Sequence, residues 1–136
     1  MICPINRNEL TLRIPCRPAT ADDVEIARNL KDTFQANRKG CVGMAANMIG
    51  ERVRIIVFDD GGTVRTMLNP EITSKAAPYE AEEGCLSLSG TRAATRYRSI
   101  TVSYQDESMK KHTVKLKGYA AQIAQHEIDH CNGIVI

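Results

Sequence analysis

The chain has 136 residues, 43% hydrophobic and 25% charged, and its 18 basic and 16 acidic side chains leave a formal charge of +2. That length suits one domain, residues 1–136, able to bury a core without disulfides. The near-neutral balance gives no electrostatic case for binding nucleic acid or a membrane surface. No apolar run approaches the ~20 residues that span a bilayer. Residues 1–9 hold no apolar stretch of signal-peptide length, so a soluble, cytoplasmic protein is expected. The five cysteines (Cys3, Cys16, Cys41, Cys85, Cys131) are an odd set without a C-x-x-C pair, which fits a reducing compartment. Cys3, Cys16 and Cys41 read as small buried hydrophobes.

Residues 1–19 carry Pro4, Pro15 and Pro18 and predict an extended arm with one short strand over 10–14. Thr20 is a helix N-cap, with Asp22 and Asp23 in the first turn where carboxylates suit the helix dipole. Val24, Ala27, Leu30 and Phe34 then recur at helical spacing, and the helix is expected to end near Lys39 and Gly40. A Gly- and Ala-rich loop over 40–50 leads to a β-branched run at 53–58 that reads as a buried strand. Asp59-Asp60-Gly61-Gly62 turns the chain into a partner strand at 64–68, which Asn69-Pro70 should stop before the sheet resumes at 71–75. Further strands are predicted at 85–88, 99–104 and 112–116, and a final helix over 119–131. Helix, several short strands, then helix indicates α+β rather than alternating α/β.

The sharpest chemical signal is His126-Glu127-Ile128-Asp129-His130 on that last helix. Positions i and i+4 share a face, so both imidazoles can reach one metal ion. Glu127 sits where it can act on water at the metal rather than ligate, the H-E-x-x-H logic. Catalytic sites of this kind usually take a third protein ligand. Cys131 follows His130 directly and points around the helix, which makes it a poor one. Cys85, in Glu82-Glu83-Gly84-Cys85-Leu86-Ser87, is the better candidate, although spacing alone reads it equally well as a buried structural thiol.

Three separated blocks resemble the peptide deformylases, whose pattern is G-x-G-Φ-A-A-x-Q-x-G (Φ apolar), then E-G-C-L-S, then Q-H-E-x-D-H. Here they stand as Cys41-Val42-Gly43-Met44-Ala45-Ala46-Asn47-Met48-Ile49-Gly50, Glu83-Gly84-Cys85-Leu86-Ser87 and Gln125-His126-Glu127-Ile128-Asp129-His130. Their order and separation fit the family from about Leu12 to Ile136. The resemblance implies small mixed or antiparallel sheets packed around a C-terminal metal-binding helix. It implies Cys85, His126 and His130 as ligands of one divalent ion, Fe²⁺ in the cell, with Zn²⁺, Ni²⁺ or Co²⁺ able to occupy the same site. It implies removal of the formyl group from the N-terminal formyl-methionine of nascent polypeptides, and so transient contact with the ribosome. The resemblance further implies that a metal-bound hydroxide would attack, that Glu127 would act as general acid and base, and that the backbone N–H of Leu86 would steady the oxyanion. The backbone around Gly43 and Met44 would pair with the extended peptide as an added strand, with Gly84 a further substrate contact. Arg96 falls where the family has a channel-lining Arg, and reads equally as a solvated strand-edge Arg. Asp129 should hold a backbone group or an Arg rather than the metal.

Two positions depart from the family pattern. Cys41 replaces the first Gly, read as a backbone adjustment of little chemical consequence. Met48 replaces a Gln whose amide donates to the oxyanion, and methionine has no donor. Adjacent Asn47 could take over that role. A deformylase slowed by Met48 is the favoured reading. The alternatives are a deformylase-like protein that binds formylated or otherwise blocked N-termini, or a hydrolase of another small amide. Retention of Glu127 weighs against mere binding.

Overall fold

The computed structural model describes residues 1–85 and 87–135. The expected strand at 10–14 is instead a one-turn helix, α1 (Glu9–Leu12). The Asn8 side chain accepts from the Leu10 N–H, Glu9 sits in the first turn, and of this stretch Leu12 alone is buried. With no strand beside it to pair with, the Asn cap decides the local conformation. The arm then passes Val53 as a single parallel bridge from Arg17. Thr20 caps as expected: its hydroxyl takes the Asp22 N–H, and the Asp23 carboxylate reaches back to the Thr20 N–H at 2.8 Å. A 3₁₀ turn precedes α2 (Val24–Ala36), whose Ala27, Leu30, Thr33 and Phe34 are buried.

The 40–50 loop holds a short strand, β1 (Gly43–Ala45), which glycine and alanine content had concealed. It pairs antiparallel with β2 (Ile55–Asp60), which turns at Gly61 and Gly62 into β3 (Thr63–Cys85). Asn69-Pro70 does not end this strand. Asn69 takes a left-handed φ of 53°, which asparagine tolerates, and its side chain bonds to both backbone groups of Ala19 and to Gln105. The register shifts there, and beyond Leu68 β3 leaves β2 and pairs with β4 (Leu88–Gln105) alone. The predicted strand at 85–88 is therefore the tip of a long hairpin, where Cys85 pairs with Leu88. β5 (Lys111–Lys117) completes a five-stranded antiparallel sheet in the order β1-β2-β3-β4-β5. α3 (Gly118–Cys131) closes the fold.

β2 is apolar on both faces because both are covered. Ile55 and Val57 pack with Leu30 and Phe34 of α2, while Ile56 and Phe58 pack with Ile123, Ala124 and Ile128 of α3. α3 is thus pressed into the sheet, and its polar residues Gln125, His126, Glu127 and His130 are buried with its apolar ones. Gln125 fastens it by bonding to both backbone groups of Tyr97 on β4. No helix among the described residues is long and apolar enough to cross a membrane.

Asp23 joins the arm to the start of α2, accepting a bidentate pair from Arg17 at 2.8 Å and the Thr20 N–H. The Arg17 hydrogen bonds foremost hold its carboxyl down at about 2. A depressed carboxylate stabilises the fold above its ordinary pKa and loses that contribution as pH falls toward the folded value. Asp23→Ala is expected to destabilise by about 0.5–2 kcal/mol at neutral pH. The gap in thermal midpoint between parent and variant should close as the pH is lowered from about 4 to about 2.

Candidate metal centre and substrate cleft

One turn of α3 separates His126 and His130, whose ring centroids lie 5.2 Å apart. The hairpin tip brings Cys85 against them, with Sγ 3.4 Å from His130 Nε2. The candidate ligand atoms of Cys85, His126 and His130 all lie within 4.8 Å of one another. A thiol and two imidazoles converging from a strand end and a helix face form a donor set suited to a soft or borderline divalent ion.

Glu83 organises this cluster. Alternation along β3 puts it on the same face as Cys85. It accepts from His126 Nδ1 at 2.9 Å, which leaves Nε2 for the cluster. It also takes a bidentate pair from Arg96, at 2.9 and 2.7 Å, and the Gln122 amide at 2.9 Å. Burial alone would raise this carboxyl, but the His126, Arg96 and Gln122 donors outweigh it and hold it at about 2. Burial likewise opposes charge on both imidazoles. It prevails at His130, pushed down to about 3, whereas at His126 hydrogen bonds with Cys85 and Glu83 prevail and lift it to about 10. A His130 held neutral keeps a ring lone pair to offer, and with the His126 ring and the Cys85 thiol beside it the donor set fits a cation. His130 turns Nε2 toward Cys85, and its Nδ1 is buried without a hydrogen-bond partner among the described residues.

Arg96 is neither a channel wall nor a solvated edge residue. It is 4% exposed and spends its fork on Glu83 and on Asp129, 2.7 Å from Nη1. Asp129 therefore holds an Arg and stays clear of the ligand cluster. Asn47 does not stand in for the missing amide: its Nδ2 donates to the carbonyls of Leu12 and His130, behind the site. Cys131 is fully buried in the α3 packing. His112 pairs with Asp106 beside β5. Leu86 lies outside the described residues.

The cluster opens into a cleft of about 770 Å³ whose lining includes Gly43, Met48, Gly84, Cys85, His126 and Glu127. The Met44 side chain is buried in the core, and the residue pairs with Val57 of β2. Glu127 is buried, and burial above all lifts its carboxyl to about 7. Its Oε1 has no hydrogen-bond partner among the described residues. Its Oε2 would lie 3.0 Å from a Cβ at Gly43, and Ile123 Cγ2 only 2.8 Å. No side chain fits at 43 without displacing the carboxylate, which explains this glycine.

A family model for polypeptide deformylase matches residues 2–136. This chain belongs to the peptide deformylase family. The peptide deformylase of Clostridium beijerinckii is 46% identical over 136 residues, covering 100% of both chains. That of Chlorobaculum parvum is 33% identical over 144 residues, covering 98% of this chain and 76% of the relative. Among solved structures, the Legionella pneumophila peptide deformylase superposes with a TM-score of 0.88 at 33% identity, covering 99% of this chain and 83% of its own. The Thermotoga maritima enzyme gives 0.88 at 30%, covering 99% and 95%. The α+β fold around a C-terminal helix is the fold of these enzymes. Deformylases hydrolyse a linear amide, removing the N-terminal formyl group from nascent peptides with the help of a divalent metal, and this is the activity of the chain.

Motif reading quoted Glu83 without giving it a role, and it did not name Gln122, which also lines the cleft. Glu83 was within reach, since strand alternation puts it beside Cys85. Gln122 was not, because its partners come from a distant hairpin. If Arg96 is the buried tie between Glu83 and Asp129, Arg96→Met should lower unfolding free energy in urea by about 3–5 kcal/mol. Arg96→Lys should recover only part of that, lacking the planar fork. An Arg that merely lined a channel would leave stability unchanged.

Proposed function

We propose that Cys85, His126 and His130 hold the divalent ion of this deformylase, Fe²⁺ in the cell with Zn²⁺, Ni²⁺ or Co²⁺ as alternative occupants, and that Glu127 is its general acid and base. The supporting observation is the meeting of a hairpin-tip thiol with two helix imidazoles beside a buried carboxylate in a cleft. When bound, the ion polarises the formyl carbonyl and makes water acidic enough to attack at neutral pH.

The chain's own residues supply the rest. Glu127, with one oxygen unpartnered among the described residues and the other against Gly43, can take the proton of the attacking water and pass it to the leaving amine. Glu83 keeps His126 in the tautomer that directs Nε2 to the ion. Gly43 and Gly84, both lining the cleft, leave room for an extended peptide. The Leu86 N–H is the proposed oxyanion donor. Met48 contributes none, and its sulfur instead accepts the Ala45 N–H at 3.4 Å. Residues 1–136 act as one domain, in the cytoplasm, meeting formyl-methionine chains as they leave the ribosome.

Formate release from a formyl-Met peptide, measured on anaerobically purified protein loaded with Fe²⁺ or Ni²⁺, tests this reading. Glu127→Ala should lose about 10²–10⁴-fold in kcat while retaining its metal. Met48→Gln should gain turnover, by at most the ~10²–10³ that one oxyanion donor supplies. An active Glu127→Ala would remove the carboxylate from the mechanism.

A further inference from the structure

β1 is an edge strand, and its Gly43 lines the cleft. The bond from the Asp59 N–H to the Val42 carbonyl sets the alternation of the β1–β2 ladder. Met44 therefore bonds across to β2, and Gly43 and Ala45 turn their backbone groups outward. Sulfur meets both of those residues. The Cys41 thiol donates to the Gly43 carbonyl at 2.9 Å, and the Met48 thioether accepts from the Ala45 N–H at 3.4 Å. Cys41 and Met48 also line the cleft. They are the two positions at which the first motif departs from the family pattern.

We propose that Cys41 and Met48 cap the open edge of β1 with two weak hydrogen bonds that an incoming peptide strand displaces, so that Cys41 sets how readily this enzyme binds its substrate. An exposed edge recruits an extended peptide through main-chain hydrogen bonds, and Gly43 presents the carbonyl a peptide N–H needs. A thiol is a weak donor and a thioether a weak acceptor, so both yield to a peptide group. Burial pushes Cys41 up to about 12, so the thiol keeps the proton it donates. Cys41 thus has a consequence beyond backbone adjustment. The proposal rests on the deformylase reading of the cleft, and its test separates the two.

Cys41→Ala removes the donor and Cys41→Ser strengthens it. With the metal-loaded protein and a formyl-Met peptide, KM should fall about three- to tenfold in Cys41→Ala and rise by a similar factor in Cys41→Ser. The kcat should stay the same in both. The dissociation constant of the tripeptide Met-Ala-Ser, read by calorimetry without turnover, should follow the same order. In the unmutated protein the infrared S–H band of one thiol should shift when the tripeptide binds, and Cys41→Ala should abolish that shift. A KM that rises in both variants, or is equal in all three, overturns the proposal. An S–H spectrum indifferent to peptide does so without any variant. Should the parent release no formate, the catalytic reading fails, and the tripeptide affinities and the S–H band still decide the edge.

Discussion

The site depends on one buried anion. Glu83 is 8% exposed, yet it gathers His126, Arg96 and Gln122 around its two oxygens. A carboxylate in this position is tolerable only because every lone pair facing the interior is used, and removing one partner leaves an uncompensated charge. The arrangement links β3, β4 and α3 through a single group. It also sets the orientation of the imidazole on which metal binding turns. Arg96 carries the tie on to Asp129, a turn of helix beyond His126 and one residue before His130.

Burial does the second part of the work. The sheet is covered by α2 on one face and α3 on the other at β2, so a helix rich in polar residues is driven into the core by its apolar positions Ile123, Ala124 and Ile128. Desolvation then acts differently on each group. Glu83 is rescued by donors and stays ionised, His130 stays neutral, and Glu127, with no donor for Oε1 among the described residues, is lifted by burial to about 7. Two glutamates of one site are thereby separated in proton affinity by their partners. Gly43 completes the division by letting β1 approach so closely that Glu127 is walled in.

The cleft also shows how a family's scaffold accommodates unusual residues. Where an amide would point toward the reacting carbonyl, Met48 turns its sulfur to the backbone of its own turn, and Cys41 does the same two residues before Gly43. Asn47, the only amide adjacent in sequence to Met48, is occupied elsewhere: it fastens the carbonyl of Leu12 to that of His130. Neighbouring side chains on a tight turn diverge, and proximity along the chain does not make one a substitute for the other.

Local physics made much of this legible. The Thr20 cap, the helical stripe from Val24 to Phe34, the turn at Asp59-Asp60-Gly61-Gly62 and the i, i+4 histidines follow from neighbours within a few residues, and each was readable from the chain. The strand at 43–45 was not, because Gly and Ala carry no strand signal and the pairing partner supplies it. The continuation of β3 through Asn69-Pro70 was not, because the bonds from Asn69 to Ala19 and Gln105 span 50 and 36 positions. The sequence by itself determined the family, the fold class and the shared helix face of His126 and His130, since these lie in short motifs whose spacing is covalent. Only the tertiary structure decided that Arg96 is a buried tie, that Asn47 faces away from the cleft and that the edge of β1 is capped by sulfur. Those outcomes depend on which distant groups meet across the sheet and the helix, and covalent spacing does not carry that information.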